Sequence, residues 1–131
     1  MIRSILLVED DLLDQTMFKL SFKNQEPAVS IACACNGLEA IQFLKNTIPD
    51  IIFLDQNMPE MNGLEFLKII KSDKLLCQIP VVVFTPSLYL NKHNEDLLSQ
   101  GAYGYVLKDL SMTGPGSVKG IIKQINKQSA A

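Results

Sequence analysis

Four short apolar runs punctuate this chain: Ser4–Val8, Ile51–Asp55 (IIFLD), Val81–Thr85 (VVVFT) and Tyr103–Leu107 (YGYVL). The second and third are continuously apolar rather than alternating. Strands covered on both faces read this way, and such strands belong to parallel sheets. A weaker fifth strand is predicted over Val29–Cys35. Between the runs the apolar positions shift to helical spacing. Leu13, Met17 and Leu20 follow Asp11, with Asp14 in the first turn. Leu38, Ile41 and Leu44 form a second stripe, and Leu64, Leu67 and Ile70 a third after Gly63. Leu97 and Leu98 mark a short fourth helix before Gly101. Ile121, Ile122 and Ile125 mark a fifth, starting near 115–117, where Pro and Ser suit a helix's first positions. Each stripe is read as a core face.

Strand and helix thus alternate five times, which predicts an α/β domain with a parallel sheet. Right-handed crossovers leave few topologies, and the doubly wound order 2-1-3-4-5 fits five units best. The length of 131 residues suits a single domain over 1–131. With 47% hydrophobic and 20% charged residues, the chain can bury a core. Its net charge of -2 argues against a nucleic-acid partner, which needs an excess of Lys and Arg. No apolar run approaches the ~20 residues of a membrane span, and the N-terminal run ends in acids rather than as a signal peptide. Cys33, Cys35 and Cys77 read as small core thiols in a reduced compartment, so a cytoplasmic location is expected.

One junction resists a purely structural reading. The first strand runs straight into Glu9, Asp10 and Asp11. Neighbouring carboxylates repel and resist desolvation. In a sheet of this order, ligands bind beyond the carboxyl ends of the strands, at the switch between strands 1 and 3. Asp55 ends strand 3, so Glu9, Asp10 and Asp55 are expected at one corner. Asp11 is read only as an N-terminal helix acid. Three converging acids call for a cation, and an all-oxygen set suits Mg²⁺ or Mn²⁺. Thr85 ends strand 4 and Lys108 follows strand 5. A hydroxyl and an ammonium beside a metal could each contact an oxygen of a phosphoryl group. Asp55 could then accept that group as an acyl phosphate.

The segments ILLVEDD, LDQNMPEMNGLEFL, VVVFT and YVLKD, in this order and across essentially the whole chain, resemble the receiver domains of two-component response regulators. The flavodoxin-like (βα)5 fold of that family agrees with the predicted order. The resemblance implies that Asp55 is the phosphoacceptor and that Asp10 and Asp55 bind Mg²⁺ directly, with Glu9 acting through water. Asn57 would offer its backbone carbonyl to the metal. Thr85 and Tyr105 resemble the switch pair, and Lys108 the phosphate-binding lysine. Asn57 and Ser87 lie where the family tunes hydrolysis of the acyl phosphate. The implied donor is a sensor histidine kinase or a histidine phosphotransfer protein. The only histidine here, His93, is read as a surface residue and not as a donor. A stand-alone receiver is implied, signalling to an unknown downstream protein through its helix 4, strand 5 and helix 5 face. It would be a phosphoacceptor rather than an enzyme, assisting only its own phosphorylation and dephosphorylation.

Two positions depart from the family pattern. The usual Lys-Pro with its cis bond is Lys108-Asp109 here. A cis bond before a non-proline residue costs about 2.5–4 kcal/mol, against about 0.5–1 for X-Pro. A trans bond, a re-routed loop and a displaced Lys108 are therefore expected. The second departure is Pro86, where a small residue usually follows the switch Thr. The family holds phosphoryl oxygens partly through that residue's backbone N–H, which proline lacks. Three other readings compete. A haloacid-dehalogenase-type phosphohydrolase would need a D-x-D after strand 1, which is absent. An FMN binder would need a Ser/Thr/Gly loop where VEDD stands. A receiver-like scaffold that no longer switches is kept in view by Pro86 and Asp109.

Overall fold

A computed structural model describes residues 1–25, 27–55, 58, 61–86, 92–109, 114 and 116–129, without the side chains of 92–94 and 129. Five parallel strands form the sheet: β1 (Ser4–Val8), β2 (Ser30–Ala34), β3 (Ile51–Asp55), β4 (Val81–Thr85) and β5 (Gly104–Leu107). Their order is β2-β1-β3-β4-β5, as the alternation predicts. The helices are α1 (Leu12–Ser21), α2 (Gly37–Leu44), α3 (Gly63–Ser72), α4 (Lys92–Ser99) and α5 (Val118–Ser129). Asp11, Asn36 and Asn62 cap the first three, each accepting from the backbone N–H three residues on. No helix among the described residues is long and apolar enough to cross a membrane.

The period of two along each strand divides the core into two layers. Leu6, Val8, Ile52, Leu54, Val81 and Val83 pack under Ala40, Leu44, Phe66, Leu67, Ile70 and Leu97 of α2, α3 and α4. Ile5, Leu7, Phe53, Val82, Phe84 and Val106 pack under Phe18 and Phe22 and under Ile121, Ile122 and Ile125 of α5. Every residue of β3 and β4 is buried, which is why those runs are apolar without alternation.

Two of the expected core stripes are corrected. Leu13, Met17 and Leu20 of α1 are 69%, 49% and 54% exposed, and the helix buries Gln15 and Phe18 instead. The Phe18 ring lies 5.3 Å from Phe53 and 5.6 Å from Phe84. Large aromatic rings bury more area than the aliphatic stripe could, so they take the sheet-facing side. On α2, Leu38 is half exposed because Gly37, Ala40 and Leu44 form the inner face.

Candidate phosphoacceptor and metal site

The carboxyl ends of the strands are drawn together by backbone bonds that extend the ladder past its last pairs. Glu9 N–H donates to Ala34 O at 2.9 Å, and Lys108 N–H donates to Thr85 O at 2.7 Å. Glu9 continues the side of β1 that carries Ile5 and Leu7, and Asp55 the side of β3 that carries Ile51 and Phe53. Lys108 continues the side of Val106. All three therefore emerge over the α1 and α5 layer. One carboxylate oxygen each from Glu9, Asp10 and Asp55 lie within 4.8 Å of one another. Glu9 and Asp55 are buried, while Asp10 faces solvent.

Lys108 stands at the centre of this corner. Its Nζ lies 2.6 Å from Glu9 Oε2, 3.3 Å from Asp14 Oδ2 and 3.5 Å from Asp55 Oδ1. It also lies 5.6 Å from the centre of the Phe84 ring, within cation–π range. The expected displacement of Lys108 does not occur: with Asp109 after it, the ammonium still reaches Asp55. Attraction to three carboxylates holds it there without the help of a following proline.

Burial pushes the Glu9 carboxyl up to about 7, against the pull of the Lys108 ammonium and with the Asp55 charge adding to the rise. Burial by itself would lower the Lys108 ammonium. The Glu9 contact and the charge of Asp55 outweigh that and hold it above its ordinary value. Glu9 Oε1 accepts from the Asp11 N–H at 3.2 Å. Apart from the Lys108 ammonium, the buried Glu9 Oε2 has no hydrogen-bond donor among the described residues. A buried carboxylate oxygen short of donors, in an all-oxygen cluster, fits a hard divalent cation.

Thr85 is fully buried at the end of β4. Tyr105 is half buried and pairs in register with Val83, two residues before Thr85. Thr85 and Tyr105 thus lie on one side of the sheet, the α2, α3 and α4 side, where Tyr105 packs against the core. Asn57, Ser87 and the side chain of His93 lie outside the described residues. Two further residues, Asp14 and Gln15, join the site from α1. Gln15 Nε2 donates to the Glu9 carbonyl at 2.6 Å, fixing the end of β1. Nothing in their sequence neighbourhood points to this, because their partners come from other elements.

Residues 5–114 match the response regulator receiver domain. The chain belongs to this family. NarL, the nitrate/nitrite response regulator protein of Escherichia coli (strain K12), is 37% identical over 110 residues, which take in 82% of this chain and 48% of NarL. This chain thus spans about half the length of that relative. The polar-differentiation response regulator DivK of Brucella anthropi is 32% identical over 111 residues, covering 84% of this chain and 87% of DivK. Among solved structures, the Mn²⁺-bound response regulator Rcp1 superposes with a TM-score of 0.74 at 27% identity, over 98% of this chain and 92% of that one. Receiver domains of this family are signalling phosphoacceptors that bind a divalent metal, and an acidic cluster of Glu9, Asp10 and Asp55 is present in this one.

Proposed function

We propose that Asp55 of this receiver accepts a phosphoryl group from a phosphohistidine on a sensor histidine kinase or a histidine phosphotransfer protein. An Asp55 carboxylate oxygen attacks phosphorus, the donor's N–P bond breaks, and the released imidazole takes up a proton. Glu9, Asp10 and Asp55, with the Asn57 carbonyl, would hold Mg²⁺ or Mn²⁺. The bound cation would offset the repulsion between the carboxylate and the incoming phosphoryl oxygens. The Lys108 ammonium and the Thr85 hydroxyl each take one phosphoryl oxygen, where charge-assisted hydrogen bonds are strongest. The movement of Thr85 toward the phosphoryl group lets Tyr105 change rotamer. The face of α4, β5 and α5 then shifts between two states, and a downstream protein reads the shift. The region 1–131 acts as a single receiver domain in the cytoplasm, with no nucleic-acid or membrane contact and no catalysis beyond its own phosphorylation and dephosphorylation.

The observation that carries this reading is the Lys108 ammonium 3.5 Å from Asp55, beside three carboxylates with oxygens within 4.8 Å of one another. Incubation with a small-molecule phosphodonor and Mg²⁺, followed by intact mass, is the test. One phosphoryl group is expected, and Asp55→Asn should abolish it. Equal labelling of the variant overturns the assignment.

A further inference from the structure

Lys108 touches three carboxylates, and they are not equivalent. Glu9 and Asp55 belong to the acidic cluster that fits a cation. Asp55 also carries the oxygen that would react. Asp14 stands outside the cluster, on the first turn of α1, with its backbone N–H held by Asp11 Oδ1 at 3.0 Å. A negative side chain is favoured in the first turn by the helix dipole. Its Oδ2 accepts from Lys108 Nζ at 3.3 Å, across 94 positions of sequence.

Resting on the phosphoacceptor reading above, we infer that Asp14 is a positioning residue for Lys108. Among the described carboxylates on this ammonium, it is the one that neither cation nor phosphoryl group claims. When Glu9 and Asp55 turn to those ligands, Asp14 retains one ammonium N–H. Two N–H groups of the three remain for phosphoryl oxygens. A long, flexible lysine side chain would otherwise be free to leave for solvent, repelled by the neighbouring cation. The residue after Lys108 is Asp109 rather than a proline that would stiffen the backbone, so the restraint comes from α1 instead.

The experiment compares wild type, Asp14→Asn, Asp14→Glu and Lys108→Ala, alone and in the pair Asp14→Asn with Lys108→Ala. The first measurement is the initial rate of phosphorylation at saturating Mg²⁺ and phosphoramidate. Asp14→Asn should slow it about two- to fivefold, the range expected of a part-exposed ion pair. Asp14→Glu should recover most of that loss. In the Lys108→Ala background, Asp14→Asn should have no effect. Mg²⁺ affinity should stay within about twofold of wild type, because Asp14 is outside the cluster. The second measurement is independent of phosphorylation: the ¹⁵N signal of the Lys108 ammonium in each protein. It should be ordered in wild type and should broaden in Asp14→Asn. Where wild type is labelled on Asp55, an unchanged rate, a raised rate, or an equal loss in the Lys108→Ala background overturns the inference. So does an ammonium signal that ignores Asp14→Asn. A wild type that is never labelled on Asp55, but whose ammonium signal does respond, refutes the phosphoacceptor reading and leaves the positioning role standing.

Discussion

At Pro86 a single ring alters the chemistry available to the site. The residue follows the buried Thr85 and is itself exposed. It offers no backbone N–H to a phosphoryl oxygen, and it biases Thr85 toward extended conformations. A hydrogen bond to a charged group is worth roughly 1.5–3 kcal/mol. Pro86→Ala should therefore bind beryllofluoride with Mg²⁺ about tenfold or more tightly, measured by titration. Equal or weaker binding would mean that another group already fills the position. Lys108 teaches the converse lesson. Its departure from the family pattern at Asp109 suggested displacement, yet Glu9, Asp14 and Asp55 hold it in place. A backbone preference of neighbouring residues lost to the field of three carboxylates that only the fold assembles.

Helix α1 shows what an element's pattern leaves undecided. Leu13, Met17 and Leu20 repeat at helical spacing, and so do Phe18 and Phe22 on the other side. Either face could meet a sheet. The aromatic face does, because Phe18 fits between the rings of Phe53 and Phe84 contributed by β3 and β4. Phe18→Ala should therefore cost about 3–5 kcal/mol in chemical denaturation. Leu13→Ala and Met17→Ala should stay within about 0.5 kcal/mol of wild type. A large loss at Leu13 would place that face in the core and contradict the packing. In the strands, by contrast, the pattern was sufficient. A run buried on both faces has no second face to confuse it, and IIFLD and VVVFT are found as β3 and β4 with the expected bounds.

At the scale of the whole molecule, the acidic cluster of Glu9, Asp10 and Asp55 bears on stability. Glu9, Asp10 and Asp55 repel one another in the metal-free protein, and Glu9 is buried besides. A cation that binds only the folded state should raise the melting temperature, by an amount equivalent to about 2.7 kcal/mol at a hundredfold excess over Kd. Asp10→Ala should raise the metal-free melting temperature and nearly abolish the Mg²⁺-dependent gain. Calorimetry with and without Mg²⁺ reads both. A metal-free melting temperature that falls on this substitution would show that Asp10 is stabilising and not repelled.

The linear order of residues determined the five strands, their parallel order and the arrival of Glu9, Asp10, Asp55, Thr85 and Lys108 at strand ends on one edge of the sheet. It could do so because strand burial, the alternation with helices and the handedness of crossovers are local or topological constraints. Only the tertiary structure decided which face of α1 is inward, that Gln15 braces the Glu9 carbonyl and that Asp14 shares the Lys108 ammonium. Those outcomes depend on distances between side chains from separate elements. Period and propensity carry no information about such distances, because packing of complete surfaces sets them.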